Sequence, residues 1–334
     1  MKIYRNYPLL KHNTFGIDVQ AACFAEYTSI DGLRTLLAAD LPRPLLHIGS
    51  GSNLLFTGDF SGTILHSRLC FTDITPCADH TVRVRVGAAV LWDDFCADMA
   101  ARGYYGSENL SLIPGETGAA AVQNIGAYGA EVANIIDAVE TVRLTDGCQQ
   151  VFAGTDCAYG YRSSIFKTDL KGRYAVTAVQ MRLSTVPRVH LEYGQLRSYF
   201  ADHPHPTANE VRHAVIEIRR SKLPDPQDIG SAGSFFKNPI VPQTQFLRLQ
   251  AQYPTIPHYD NGNTTVKIPA AWLIEQCGWK GQTHGGAAVY DKQPLVIVNQ
   301  HHATSRDIVE LADMIQQSVK ERFDVIIEPE VNYI

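Results

Sequence analysis

Residues 233–239 (GSFFKNP) combine two aromatic rings with three side chains that form hydrogen bonds. Ordinary core packing does not require a serine, a lysine and an asparagine beside two buried phenylalanines. The mixture fits a pocket in which the rings fix the backbone while the Ser234 hydroxyl and the Asn238 amide reach a ligand. A turn with a buried phenylalanine pair is the alternative, and the rest of the chain has to decide between the two.

Residues 49–53 (GSGSN) form a glycine loop after a predicted strand at 44–48. The loop lacks the third glycine of G-x-G-x-x-G and opens no obvious helix, which disfavours a nicotinamide-type Rossmann site. Its glycines allow backbone N–H groups to point inward as an anion-binding nest, and its serines add donors, so it could bind a diphosphate. A plain turn between two strands is the alternative.

A second stretch, residues 113–129 (IPGETGAAAVQNIGAYG), is rich in small residues. Small residues let the backbone approach a flat ligand closely, and Gln123 and Asn124 offer amide donors and acceptors to a heterocycle. A tightly packed helix and loop in the core is the other interpretation.

Taken together, these motifs resemble the UDP-N-acetylenolpyruvoylglucosamine reductases, FAD enzymes of bacterial peptidoglycan synthesis. The matching segments follow the family's order and span about residues 13–331. They are 13–18 (NTFGID), 49–53 (GSGSN), 113–115 (IPG), 123–129 (QNIGAYG), 160–167 (GYRSSIFK), 222–226 (KLPDP), 233–239 (GSFFKNP) and 328–331 (EPEV). Each motif alone is modest, but eight in order are hard to explain by coincidence.

The mixed order of predicted strands and helices, with no strict β-α-β repetition, indicates an α+β fold with at least two domains. The resemblance implies an FAD-binding module like that of the vanillyl-alcohol-oxidase (PCMH-type) flavoenzymes and a separate α/β substrate-binding domain. We expect one FAD-binding subdomain at 1–67, completed by the C-terminal strand at about 324–334, and a second at 68–205. The substrate-binding domain is expected at 206–323, after a polar, proline-bearing stretch at 201–207.

The resemblance also implies non-covalent FAD, NADPH as co-substrate, a UDP-sugar substrate and no metal. The residues expected at the cofactor are Gly49, Ser50, Gly51, Ser52, Asn53, Leu54, Pro114, Gly115, Gly118, Ala119, Gln123, Asn124, Gly126, Ala127, Tyr128, Gly129 and Arg219. Those expected at the substrate are Tyr193, Lys222, Asn238 and Gln293. Tyr193 matches the form of the family in which a tyrosine loop closes over the substrate's nucleotide.

The implied reaction reduces an enolpyruvyl ether to a lactyl ether. Hydride passes from NADPH through FAD to the terminal carbon of the double bond, and the carbon beside the carboxylate then gains a proton. The resulting enolate-like charge needs preorganised donors. Arg162 is permanently cationic and binds carboxylates through two N–H groups. Outside its motif, Arg162 would be interpreted as part of a surface or structural ion pair.

Two further residues complete the implied catalytic set. Glu330 is expected to be protonated, or paired with Arg162, because a second charged carboxylate would repel the substrate. A solvated C-terminal acid is its alternative. Ser234 is the expected proton donor; a serine hydroxyl is a poor acid and needs an acceptor as basic as a carbanion. A nucleophilic role lacks the His/Asp pattern that it requires.

Two other functions remain open at this point. One is an FAD oxidase of the same fold that uses oxygen and attaches the flavin through a histidine, for which His47 is placed just before the first glycine loop. The other is a non-enzymatic UDP-sugar sensor. A sensor predicts loss of Arg162, Ser234 or Glu330, and all three are present.

The composition limits the class of protein. The chain has 334 residues, 45% hydrophobic and 19% charged, with a net charge of −5 and no basic run, which disfavours nucleic-acid binding. No segment has the roughly 20 apolar residues of a membrane span, and the first residues lack a signal-peptide core. Seven scattered cysteines without a C-x-x-C pair favour a reducing cytoplasm and disfavour zinc. We expect a cytoplasmic monomer.

Hydrophobic periodicity and capping signals predict the elements that carry these motifs. Helices are predicted at 29–37, 92–101 and 269–277, and from Thr207 and Thr304, which begin Thr-x-x-Glu and Thr-x-x-Asp capping patterns. Strands are predicted at 44–48, 82–86, 139–144, 174–183, 295–298 and 325–327.

Overall fold

The computed structural model describes all 334 residues, and their contacts divide the chain into two units. Unit 1 comprises Met1–Tyr7, Gln20–Gly51 and Phe60–Ser221, and unit 2 comprises Pro8–Val19, Ser52–Asp59 and Lys222–Ile334.

The helix after Thr207 belongs to unit 1 because its Val211 and Val215 pack with Leu196 and Phe200. The predicted boundary near residues 201–207 therefore lies one helix earlier than this division. The further split of the cofactor module into two subdomains stays a prediction.

Strands and helices alternate irregularly along the chain. The strands are β1 (Lys2–Pro8), β2 (Gln20–Tyr27), β3 (Leu45–Ile48), β4 (Leu54–Leu55), β5 (Phe60–Ser67), β6 (Thr72–Pro76), β7 (Thr81–Gly87), β8 (Gly126–Ala127), β9 (Ala130–Glu131), β10 (Ile136–Arg143), β11 (Gln149–Ala153), β12 (Tyr174–Ser184), β13 (Gly230–Ser234), β14 (Ile240–Pro242), β15 (Tyr259–Asn261), β16 (Thr265–Lys267), β17 (Thr283–His284), β18 (Ala287–Val289), β19 (Val296–Asn299) and β20 (Asn332–Tyr333). The helices are α1 (Ile30–Ala38), α2 (Trp92–Ala101), α3 (Thr117–Gln123), α4 (Gln195–Tyr199), α5 (Ala208–Lys222), α6 (Gln243–Gln252), α7 (Ala270–Gln276) and α8 (Ser305–Phe323). None of these helices combines the length and apolar composition needed to cross a lipid bilayer.

Unit 1 contains two main sheets, ordered β1-β2-β5-β3 and β11-β10-β12-β7-β6. In the first sheet, β2 and β3 run parallel to β5; in the second, all pairs are antiparallel. The larger core joins Val84 of β7 and Val179 of β12 with Trp92 and Phe95 of α2. The alternation of β7 puts its valines inside and its arginines outside, as predicted from the sequence.

Unit 2 contains a sheet ordered β13-β19-β18-β17, a three-stranded sheet ordered β14-β16-β15, and the parallel pair β20-β4. Helix α8 buries the predicted stripe of Ile308, Leu311, Ile315 and Val319 completely. The mixture of parallel and antiparallel sheets with helices confirms the predicted α+β class.

The predicted helices are all present within one residue of their bounds, but the predicted strand at 325–327 is wrong. Val325 and Ile327 are buried and Ile326 is 65% exposed, so the alternation expected of a strand exists. These residues pair with no strand; the Ile327 carbonyl accepts from the Gln316 side chain at 2.7 Å instead. The last strand is β20, which pairs with β4.

Replacing Thr304 by alanine is expected to lower the free energy of unfolding by about 1 kcal/mol. The capping box is complete, because the Thr304 hydroxyl accepts from Asp307 N at 3.2 Å and the Asp307 carboxylate accepts from Thr304 N at 2.8 Å. Urea unfolding measures the change. T304S, which keeps the hydroxyl, is the control, and an equal loss in both variants would contradict the capping role.

Candidate active site

Ser234 lies at the end of β13, where the strand departs from regular pairing with β19. Gly233 has φ +70°, a left-handed conformation that favours glycine and turns the strand before the serine. The strand is supported by the predicted 13–18 motif, since Ser231 N donates to Thr14 O at 2.9 Å. Ser234 is partly exposed. Its hydroxyl therefore lies on a fixed backbone at a surface.

The rings of Phe235 and Phe236 are buried, with centroids 5.0 Å apart in an edge-to-face arrangement. Phe15 of the 13–18 motif lies 6.2 Å from Phe235, centroid to centroid. Phe235 N donates to Leu295 O at 2.7 Å. The rings thus hold the backbone next to Ser234, which both the pocket and the buried-turn interpretations of this segment require.

Glu330 lies next to this segment although it is four residues from the end of the printed sequence. Its N–H donates to Phe235 O at 2.7 Å, and its carbonyl accepts from Asn53 Nδ2 at 3.1 Å. Asn53 O also accepts from Asn332 N at 3.0 Å. The structure therefore brings two predicted catalytic residues, Ser234 and Glu330, together on neighbouring backbone. It also gives the Asn53 side chain a protein partner, a role that the sequence did not reveal.

Arg162 lies in unit 1, in a non-glycine left-handed conformation with φ +54°. Its Nη2 donates to Gly126 O at 2.6 Å, and its guanidinium carbon lies 5.2 Å from the centroid of the Tyr161 ring. A Cβ atom at Gly126 would lie 2.8 Å from Arg162 Nη1, so a larger residue there would displace the guanidinium. Residues predicted separately, the arginine and the glycine stretch, thus meet in one place.

The two amides at the end of α3 contact protein groups. Gln123 Oε1 accepts from Lys167 Nζ at 2.5 Å. The Asn124 side chain, fully buried, donates to Glu131 Oε2 and Gly160 O. Both amides were expected to face a heterocycle. Both N–H groups of the Asn124 side chain instead donate to protein oxygens. A contact between Asn124 and a cofactor would therefore involve the Asn124 backbone.

Arg219 of α5 has the features of an anion-binding residue. Burial lowers the pKa of its guanidinium; Tyr128 and Asp93 oppose this shift, and Arg162 adds to it. Its Nε is buried with no hydrogen-bond partner. A buried, unpartnered donor next to a second guanidinium is costly without an anion. The donor set of Arg162 and Arg219 therefore fits a bound anionic group.

The two predicted glycine stretches contact each other within unit 1. A Cβ atom at Gly49 would lie 3.1 Å from Glu116 Oε2 and 3.5 Å from the Ala119 Cβ. Gly118 packs against Ala88, where a Cβ atom would be only 2.8 Å from the Ala88 Cβ. The packed-core interpretation of residues 113–129 therefore applies to α3, while ligand binding by the loops that flank it stays a prediction.

The remaining predicted cofactor residues fall in or beside these loops. Gly51 ends a segment of unit 1, and Ser52 begins one of unit 2. Leu54 begins β4, and Ala127 ends β8. Ser50 and Gly51 follow β3, Pro114 and Gly115 precede α3, and Tyr128 and Gly129 form the turn between β8 and β9.

The predicted substrate residues are divided between the units. In unit 1, Tyr193 is 40% exposed and packs on Gly129, whose added Cβ would lie 3.3 Å from the Tyr193 Cβ. The other three residues lie in unit 2. Lys222 is the last residue of α5, and Gln293 lies in the turn between β18 and β19. Asn238 Oδ1 accepts a hydrogen bond from Ala270 N at 2.9 Å. Tyr193 thus lies against Gly129 of the 113–129 stretch.

His47, the residue that a histidine-linked flavin would use, is engaged with another side chain. Its Nε2 lies 2.8 Å from the Tyr27 hydroxyl. Burial lowers its pKa to about 4, and the neighbouring His66 adds to the shift. One ring nitrogen therefore has a protein partner, and the ring is neutral at pH 7.

The stability of the protein should fall as the pH drops from about 6.5 to about 4, because in this window the unfolded His47 binds a proton that the folded one does not. His47→Gln removes this titration. Urea unfolding at pH 7 and pH 5 with excess FAD should show a larger loss for the parent protein than for H47Q. Equal losses would contradict the assignment.

Sequence reasoning missed the residues that support the site. Asp93 accepts from Arg212 Nη2 at 2.9 Å and from Leu112 N, which couples α2 to the helix that carries Arg219. Although burial raises the pKa of Asp93, these bonds hold it below its usual value. The available signal was only a pair of acids, Asp93 and Asp94, in the first turn of a predicted helix, which is too common to be informative.

Comparisons with known proteins bear on the whole chain. A family model described as UDP-N-acetylenolpyruvoylglucosamine reductase, C-terminal domain, matches residues 225–334, and a model of an FAD binding domain matches residues 21–151. The UDP-N-acetylenolpyruvoylglucosamine reductase of Bacteroides fragilis strain YCH46 is 52% identical over 331 residues, 99% of each chain. That of Porphyromonas gingivalis strain ATCC 33277 is 44% identical over 338 residues, the full length of both.

A solved structure gives the same result for the fold. The crystal structure of UDP-N-acetylenolpyruvylglucosamine reductase from Thermus caldophilus matches with a TM-score of 0.70, covering 100% of this chain and 99% of that one at 23% identity. These matches confirm the resemblance inferred from the eight motifs and the predicted FAD-binding module. The chain belongs to the UDP-N-acetylenolpyruvoylglucosamine reductase family.

Proposed function

We propose that this chain reduces UDP-N-acetylglucosamine enolpyruvate to UDP-N-acetylmuramate with NADPH and FAD, a step of bacterial peptidoglycan synthesis. The observation that carries the proposal is the backbone hydrogen bond from Glu330 N to Phe235 O, which joins the chain at Glu330 to the residue after Ser234. The identity to relatives of this name over nearly the whole chain supports the substrate. Cytoplasmic location and a monomeric state remain part of the proposal.

FAD is the cofactor that the donor set would hold. The loops at 49–53 and 114–129 would cradle it, and the unpartnered Nε of Arg219 suits one of its anionic or carbonyl oxygens. When bound, FAD supplies the hydride that NADPH provides and that the substrate double bond accepts. Tyr193, Lys222, Asn238 and Gln293 would bind the UDP-sugar, with Tyr193 closing over its nucleotide.

Arg162 would bind the substrate carboxylate and stabilise the charge that develops on it. Its guanidinium presents a planar set of donors, and the Gly126 carbonyl and the Tyr161 ring fix its orientation. A preorganised cation costs little reorganisation when the enolate-like charge appears. Arg162 is therefore assigned the electrostatic part of the reaction.

Ser234 would donate a proton to the carbon next to the carboxylate. Its backbone is fixed by β13 on one side and by Phe235 on the other, so its Cα–Cβ bond has a defined direction. Glu330 would share the charge stabilisation, either protonated or paired with Arg162. After donation, the serine regains its proton from solvent.

Product analysis tests the proposal. Purified protein is incubated with NADPH and the enolpyruvyl UDP-sugar, and the product mass should rise by about two units, since a double bond gains two hydrogens. Acid precipitation of the yellow protein should release the flavin to the supernatant. Flavin retained in the pellet, with oxygen consumed in place of the enolpyruvyl substrate, would favour the histidine-linked oxidase and contradict the proposal.

A further inference from the structure

We infer that Glu131, acting through Asn124, is a positioning residue that fixes the conformation of Arg162. The inference rests on the proposed function, in which Arg162 binds the substrate carboxylate. Glu131 lies in β9 and belongs to none of the motifs that predicted the site. Connected hydrogen bonds within unit 1 join Glu131, Asn124, Gly160 and Gly126 to the segment that carries Arg162.

Arg162 adopts a backbone conformation that its own chemistry disfavours. A left-handed φ of +54° is unfavourable for a non-glycine residue, so the surroundings must enforce it. Two backbone hydrogen bonds between Gly160 and Ser163, of 3.1 and 3.0 Å, close a tight turn around Arg162. The conformation of the arginine therefore depends on where this turn is held.

Asn124 holds the turn. Its Nδ2 donates to Gly160 O at 2.8 Å and to Glu131 Oε2 at 2.9 Å, and its Oδ1 accepts from Ala133 N at 3.1 Å. Both amide hydrogens are used and the side chain is fully buried. The Glu131 carboxyl group is thus the partner that fixes the second amide hydrogen and the orientation of the amide.

Glu131 also supports the guanidinium end of Arg162. It is the register partner of Gly126 in the β8–β9 hairpin, and the Gly126 carbonyl accepts from Arg162 Nη2 at 2.6 Å. A Cβ atom at Gly126 would lie 2.8 Å from Arg162 Nη1 and 3.1 Å from Glu131 Cγ. The same residue therefore supports the arginine at its backbone, through Asn124 and Gly160, and at its charged end, through Gly126.

Loss of the carboxyl group would leave a buried amide hydrogen without a partner, which is costly enough to reorient Asn124 or admit water. The 160–163 turn would then lose its fixed position. A displacement of about 1 Å at a substrate-orienting residue can reduce a chemical step by about 10²-fold. The expected defect therefore lies in the chemistry on the substrate and not in cofactor retention.

The test compares Glu131→Ala with Glu131→Gln, which keeps an oxygen acceptor for Asn124. In anaerobic single-turnover experiments, E131A should bind FAD and be reduced by NADPH within about threefold of the parent rate. Its reoxidation by saturating enolpyruvyl substrate should slow by about 10–100-fold, and E131Q should recover most of that loss. If E131A does not fold, Glu131→Asp can be used instead. Its side chain is one methylene shorter, and its reoxidation rate should lie between the rate of the parent protein and the rate expected for E131A.

Two further readouts separate positioning from general destabilisation. In an Arg162→Ala background, E131A should add no further loss, because its effect passes through the arginine. A crystal structure of E131A should show the Arg162 guanidinium displaced from Gly126 O. The matched control is Glu140→Ala, whose carboxylate accepts from Arg85 at 2.7 and 2.8 Å outside the site; it should lower stability and leave reoxidation unchanged.

The inference and the proposed function fail in different ways. A parental reoxidation rate in E131A, or effects of E131A and R162A that multiply, would overturn the positioning role while leaving the proposed function intact. Failure of the parent protein to be reoxidised by the enolpyruvyl substrate would overturn the proposed function itself.

Discussion

Replacing Ser234 by alanine should slow the reoxidation of reduced enzyme by the enolpyruvyl UDP-sugar by about 10²–10⁴-fold, the range that a positioned proton donor contributes. Reduction by NADPH should stay near normal, because no proton at the substrate carbon is involved in that half-reaction. The two rates are measured separately by anaerobic stopped-flow absorbance at the flavin band.

The matched control for this variant is Ser231→Ala, a buried serine three residues earlier in β13 whose N–H, not its side chain, bonds Thr14. S231A should leave both half-reactions close to the parent rates. If S234A slowed both half-reactions together, the serine would have a role in folding or in cofactor binding, and its assignment as proton donor would be wrong.

Replacing Arg162 by glutamine should reduce the reoxidation rate by about 10²–10³-fold, because the charge that develops on the substrate carboxylate loses its principal cationic donor. Arg162→Lys keeps the charge but loses the planar fork, and should fall between R162Q and the parent protein. Single-turnover rates at saturating substrate and substrate dissociation constants separate an effect on the chemical step from one on binding.

Arg182→Lys is the control for the arginine variants, since Arg182 pairs with Asp137 at 3.0 Å on the surface of the antiparallel sheet of unit 1. It should change neither half-reaction. An R162Q variant that weakened substrate binding alone, with the chemical step unchanged, would reduce Arg162 to a binding residue and contradict its role in stabilising charge.

The features predicted correctly from the sequence are those that depend on residues close together in the chain. Both capping patterns form hydrogen bonds as expected, at Thr207 with Glu210 and at Thr304 with Asp307. The stripe of α8 and the alternation of β7 follow from periodicity alone. The family could be named because its motifs lie in short, ordered segments of the chain.

Features that depend on residues far apart in the chain could not be predicted from the sequence. The strand expected at 325–327 failed because strand formation needs a neighbour, and the available partner, β4, pairs with residues 332–333. The bond between Glu330 N and Phe235 O joins residues 95 positions apart. No local rule indicates such contacts.

Local propensity also gave no sign of the backbone strain at Arg162. Left-handed conformations favour glycine and asparagine, so an arginine at φ +54° is unexpected from sequence. The network of Asn124, Glu131 and Gly160 that supports it joins three segments whose contact becomes visible only in the fold. The Asn124 amide was expected to contact a ligand. In the structure it forms hydrogen bonds with Glu131, Gly160 and Ala133 instead.

Anaerobic stopped-flow of the parent protein tests the central claim most directly. NADPH is mixed first with the yellow protein, and the enolpyruvyl UDP-sugar is added second. NADPH should bleach the flavin band, and the enolpyruvyl substrate should rapidly restore it. Bleaching without recovery would mean that another acceptor is used, and the roles assigned to Arg162, Ser234 and Glu330 would have to be withdrawn.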